Sequence, residues 1–148
     1  IPAAKPLAPK KLWTCAELAA EALGAPFLVD GAHAYAGFAS GRVVRLQLAD
    51  GRWGPPFDYQ GLPGPVQGRM ARMGTKLFAL CGASEGKPAA LVALRLREDK
   101  YEGPLWRFEI GRARVVSGVA AHRPADGAIG VIAFGDDKVL YLLDDEEP

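Results

Sequence analysis

The chain contains no asparagine and only two cysteines, two histidines and two methionines among its 148 residues. Without asparagine this stretch holds no acceptor for N-linked glycosylation. Cys15 and Cys81 are too few and too far apart for a disulfide framework or a set of metal ligands. One bridge between them is open to the chain, but two buried or half-buried thiols are the expectation. His33 stands beside a turn and His122 precedes Arg123-Pro124. Both are expected in loops rather than on a metal, and no metal or cofactor is expected. No apolar run approaches the ~18 residues of a membrane span. Charge of one sign is also missing: 18 Lys and Arg balance 17 Asp and Glu. That excludes a general attraction to nucleic acid or to an anionic membrane. No signal-peptide pattern opens the chain, and a start at Ile1 is expected of a processed or excised form.

The motifs of catalysis are equally scarce. There is no Gly-x-Ser-x-Gly elbow; Ser40 stands in Gly-Phe-Ala-Ser-Gly, which reads as a hairpin turn. There is no Gly-rich phosphate loop; Gly61, Gly64 and Gly68 with Pro63 and Pro65 are turn punctuation. Cys81 closes an apolar strand, where thiols are usually inert.

What is present is turn chemistry and alternation. Residues 1–11 carry three prolines and three lysines with no period, which reads as an extended lead-in. Residues 15–23 are rich in Ala and Leu, with Thr14 and Glu17 at capping-box spacing and Gly24 beyond the end. They predict a short N-terminal helix, with a strand-joining segment, Leu12-Trp13 followed by small residues and Gly24-x-Pro26, as the other reading. Residues 24–53 change to a period of two. Phe27 and Val29, then Ala34, Ala36 and Phe38, then Val44, Leu46 and Leu48 alternate between the turn signals Asp30-Gly31, Ser40-Gly41 and Asp50-Gly51. That is the pattern of a β-meander. Four prolines then punctuate a crossing loop at 53–65.

Similar units follow at about 66–110 and 111–143, after a first at about 24–65. Leu46, Leu94 and Leu142 lie 48 residues apart, each late in a β-rich run. A period in the forties with about four strands per unit predicts all-β, propeller-like blades of antiparallel sheet. A single β-sandwich or barrel is the competing reading. Pro26-x-x-Val29-Asp30-Gly31, Tyr35-x-Gly37, Gly41-Arg42-Val43, Leu46 and Asp50-Gly51-Arg52-Trp53 carry a resemblance. They resemble the repeat of the pyrroloquinoline-quinone-type, BamB-like β-propellers. Ala93-Leu94 and Trp106 match in the second unit; Gly135, Val139 and Leu142 match in the third. The resemblance covers about residues 24–143 and implies a partial propeller, because three blades are fewer than the four to eight of a closed one. It implies packing roles for the repeat residues. No position matches the cofactor ligands of the quinone enzymes, so no cofactor is carried over.

The expected function is therefore a non-catalytic protein-binding or scaffold segment of a larger propeller or assembly, with a protein partner or self-association. The alternative is a fragment or subunit of an enzyme: a quinoprotein-like dehydrogenase, an adenylating-enzyme appendage or a propeller hydrolase. The candidate partner contacts are the loop aromatics Trp53, Phe57 and Tyr59. Arg42 and Arg45 are the candidate anion contacts, if they form a basic rim rather than a solvated face. The charges divide along the chain. Residues 1–75 hold eight Lys and Arg against five Asp and Glu, and the rest holds ten against twelve, ending in Asp144-Asp145-Glu146-Glu147. That acidic end reads as a solvated terminus.

Overall fold

A computed structural model describes residues 3, 8–18, 20–53, 58–97, 100–111, 120–122, 129–134 and 140–145, with side-chain surroundings as far as Ile110. Phe57, the turn at 124–127 and the matched positions Gly135 and Val139 lie outside the described residues. The described chain is all-β. A first antiparallel sheet runs in the order β1 (Leu28–Asp30), β2 (His33–Gly37), β3 (Val43–Gln47), β4 (Asp58–Tyr59). A second runs β5 (Ala71–Met73), β6 (Lys76–Cys81), β7 (Ala89–Leu96), β8 (Tyr101–Gly111). Three further strands, β9 (Ala120–His122), β10 (Ile129–Phe134) and β11 (Leu140–Asp145), form a third sheet in the same sequential order. Its β9 approaches β5 of the second sheet.

The turns carry the glycines the hairpins require. Gly31, Gly41 and Gly51 have φ of 60°, 82° and 72°, a region that costs little only without a Cβ. Gly51 has a second reason to lack one: a Cβ there would lie 2.6 Å from the Trp13 ring. In β8, residues 103–105 oppose Leu94 alone, because Ala93 pairs with Trp106 and Arg95 with Glu102. Pro104 sits in that irregularity on an edge strand, where a missing N–H breaks no regular ladder.

Register assigns the faces. In the first sheet Val29, Ala34 and Leu46 stand side by side, as do Leu28, Tyr35 and Arg45 on the opposite face. The second set faces the second sheet. Tyr35 and Val43 are buried there against Leu77, Ala79, Val92 and Leu94, with Leu28 and Tyr59 packed at the margin. The other face of the second sheet buries Phe78, Leu80, Leu91, Ala93 and Ile110 beneath Trp106 and Phe108. Strand β6 is thus buried on both faces along its whole length. That is why Leu77-Phe-Ala-Leu-Cys81 reads as a continuous apolar run rather than an alternation. Leu46, Leu94 and Leu142 each occupy the third strand of their sheet, opposite Ala34, Leu77 and Ile132 in the second strand.

The helix expected at 15–23 is not formed among the described residues. Glu17, Leu18 and Ala20 lie in turns, with Glu21 N–H donating to the Leu18 carbonyl at 3.2 Å. The segment's end is taken by the sheet instead. Gly24 N–H donates to the Gly37 carbonyl and Ala39 N–H to the Ala22 carbonyl, each at 2.9 Å, and Leu23 bridges Phe38. A helix this short is marginal in water even with favourable residues. Pairing with the sheet satisfies the same backbone groups while burying Leu18 on the sheet face.

Candidate docking site

The outer face of the first sheet carries Phe27, Val29, Ala34, Ala36, Phe38, Val44, Leu46 and Leu48. Only part of it is covered. Trp13, Cys15 and Leu18 fold back over Ala36, Phe38, Val44 and Leu46, with Trp53 alongside. The Trp13 indole N–H donates to the Leu48 carbonyl at 2.7 Å and fixes this cover at the end of β3. Beside it an apolar groove of about 550 Å³ remains open. Its other wall is Leu23, Phe27 and Val29, which are 51%, 51% and 61% exposed.

The second sheet shows what such a face looks like when closed. Val29 pairs with Ala34 and Ala34 with Leu46; Arg72 pairs with Leu77 and Leu77 with Leu94. Met70, the counterpart of Phe27, is 1% exposed, and Leu77, Ala79, Val92 and Leu94 are essentially fully buried. The first sheet covers them and adds a polar tie: the Arg72 guanidinium donates to Asp30 at 2.7 Å and lies 5.9 Å from the centre of the Tyr35 ring.

A charged cluster meets the groove at Glu21. The Arg42 Nε and Nη2 donate to the two Asp58 oxygens at 2.6 and 2.8 Å, a bidentate fork, while Nη1 pairs with Glu21. Ser40 donates to the other Glu21 oxygen at 3.0 Å. The guanidinium stacks on Trp53 at 4.9 Å, and the Trp53 indole N–H donates to Glu17 at 2.7 Å. Hydrogen bonding to Arg42 holds Asp58 below the usual carboxylate range, and the same bonds push Arg42 further up. The arrangement commits three of the five guanidinium N–H donors to carboxylates of the same chain.

The sequence-predicted residues are therefore spread over different tasks. Arg42 is bound to two carboxylates of its own chain. Arg45 is half-buried on the opposite face, beside Tyr35. Trp53 packs at the groove's margin through Arg42 and Glu17. Tyr59 ties the first two sheets: its hydroxyl donates to the Gly103 carbonyl at 3.3 Å, and its ring meets Tyr101 edge-on at 6.3 Å. Both cysteines are free thiols. Burial pushes Cys81 up to about 12, which leaves it protonated and inert at neutral pH. Among the described residues no group of His, Cys, Asp and Glu is placed to hold a metal. No helix of the described chain is long and apolar enough to cross a membrane.

Glu21, Asp58 and the wall of Leu23, Phe27 and Val29 were not singled out from the sequence as a site. The only signal for the wall was that Phe27 and Val29 share alternation with a face; nothing local shows that the face lacks a neighbour. The chain matches no protein-family model, and no curated protein is significantly similar to it.

Proposed function

We propose that this chain is a partial β-propeller of the pyrroloquinoline-quinone-repeat type, acting as a non-catalytic protein-binding or scaffold module within a larger propeller or assembly. The observation that carries this reading is the uncovered margin of the first sheet's outer face. It has the register of the face that the second sheet buries, yet Phe27 and Val29 on it stand half exposed or more. Stacked sheets that each present apolar residues on two faces bury them by adding neighbours, and an end face left apolar calls for a further neighbour. An open apolar face rimmed by charge is a docking surface rather than a catalytic cleft. The 48-residue recurrence of Leu46, Leu94 and Leu142 at one register position supports the repeat.

Carbene footprinting of dilute protein tests the reading. Labelling is expected to concentrate at Leu23, Phe27 and Val29, with Leu77, Val92 and Leu94 unlabelled. Protection of Phe27 and Val29 in the dilute chain would mean that its own residues close the face, and the docking reading would fail.

A further inference from the structure

We infer that the open groove takes a short extended segment of a partner protein, one that sets apolar side chains at alternate positions and carries a lysine or arginine at the end lying over Glu21. The inference rests on the docking reading and states what the partner must present.

The shape comes from the cover. Trp13, Cys15 and Leu18 already bury the middle of the outer face, so a further sheet cannot lie flat on it. What remains is a channel between that cover and the margin formed by Leu23, Phe27 and Val29. Its floor follows β2 from Ala34 to Phe38. Four strand steps span about 13 Å, the length of an extended segment of about five residues. Alternate side chains of such a segment point the same way, so two or three of them enter the channel while the others stay in solvent. The volume of about 550 Å³ suits a few side chains.

The charge comes from the end by the β2–β3 turn. Glu21 is the one charged residue that lines the groove. It belongs to the cluster in which Glu17, Glu21 and Asp58 surround Arg42 and Trp53, three carboxylates against a single guanidinium. Of the roughly four acceptor positions of a carboxylate, the bonds to Glu21 from Arg42 and Ser40 take two. Its side chain is 29% exposed, so a further donor can reach it. At the opposite end the exposed Lys10 and Lys11 run into Trp13, which is pinned to the Leu48 carbonyl. The groove therefore has an acidic end and a basic approach, and a cationic partner residue belongs at the acidic end.

Peptide titration at low salt tests the inference. The probes are Ac-Leu-Ser-Phe-Ser-Lys-NH2, its reversal, and versions with glutamine or glutamate in place of lysine. Binding is read from the Trp13 indole N–H resonance and from slowed alkylation of Cys15, whose fellow thiol Cys81 is buried. One of the two lysine peptides is expected to bind roughly fivefold more tightly than its glutamate version, with the glutamine version between them. That preference is expected to shrink as salt is raised. Glu17→Gln with Glu21→Gln keeps oxygen acceptors for Trp53 and Ser40. It is expected to erase the preference while leaving affinity for the glutamine peptide unchanged. Val29→Asp, at an exposed position, is expected to abolish binding of the glutamine peptide with an unchanged circular dichroism spectrum. Binding that favours glutamate, or that is indifferent to charge, overturns the inference. So does binding that survives Val29→Asp, which would place the site elsewhere, and so does a protein that binds none of the peptides. If Phe27 and Val29 are labelled in the dilute chain and no peptide binds, the docking reading stands and only this partner is removed.

Discussion

Leu46 and Leu94 hold the same register position in successive sheets, and truncating each to alanine should not cost the same. Leu94 is fully buried between two sheets and Leu46 is 3% exposed under a partial cover. Both substitutions forfeit the transfer energy of three carbons, about 2–2.5 kcal/mol at ~0.8 kcal/mol for each methylene. Leu94→Ala leaves, in addition, a void closed on every side, whose walls relax only partly and add about 1–2 kcal/mol. Leu46→Ala enlarges a groove already open to water, so that second contribution largely vanishes. The expected losses are about 4 kcal/mol for Leu94→Ala and about 2 kcal/mol for Leu46→Ala. Urea unfolding followed by tryptophan fluorescence measures both. The slope of free energy against urea should match in the two variants, so that the midpoints report stability alone. Equal losses would show that the face over Leu46 is as closed as the one over Leu94, and the account of an uncovered face would be wrong.

Two further outcomes follow from the charges. Arg42→Ala strands Asp58, whose side chain is 10% exposed, together with Glu21 at 29%, and should cost about 2–3 kcal/mol in urea unfolding, below the 3–5 of a fully buried pair. Arg42→Lys should recover little of it, because an ammonium cannot make the bidentate fork to Asp58; full recovery would reduce the cluster to a point charge. The lowered Asp58 value also means that Arg42→Ala should flatten the loss of stability as pH falls through and below the ordinary carboxylate range. His33 is lowered by burial and then by Arg45 and Arg72, against a smaller opposing effect of Asp30. The unfolded chain therefore binds the His33 proton more readily. Stability should rise with pH from the lowered folded value up to about 6.5, and His33→Gln should flatten that rise. An unchanged profile in thermal unfolding would remove His33 from the acid response.

The strands of the first sheet were legible because two local signals agreed. Each dipeptide Asp30-Gly31, Ser40-Gly41 and Asp50-Gly51 supplied a glycine that the structure places at positive φ. The residues between them alternate in step with a sheet whose two faces differ. In the second sheet the strands are visible as apolar runs, but the faces are not, since β6 and β7 are buried on both sides and leave no alternation to read. The residues at 15–23 misled for a physical reason. Their Ala and Leu content and capping box describe what the segment prefers in isolation. The hydrogen bonds that decide its conformation come from Gly37 and Ala39, more than a dozen positions along the chain. Propensity is a weak term beside backbone pairing plus the burial of Leu18.

The candidate site failed to be legible in a more general way. Periodicity establishes that Phe27, Val29, Ala34 and Leu46 share a face, because that depends only on the pleat. Whether the face is a core or a surface depends on what lies beyond it, and no residue of the face encodes that. Leu94 and Leu46 sit in near-identical local sequence patterns, yet one is enclosed by Tyr35 and Val43 of the preceding sheet and the other faces a groove. For the same reason Trp53, Tyr59 and Arg42 drew attention as exposed contacts, although the structure uses each to tie one part of the chain to another: Arg42 to Asp58 and Glu21, Tyr59 to Gly103, Trp53 to Glu17. Large aromatic and guanidinium groups are the same tools whether they join two proteins or two sheets of one protein. Phe27 and Val29 are the residues of the outer face which the chain itself leaves half exposed or more, and it is there that substitution should change what the face binds while leaving the fold intact.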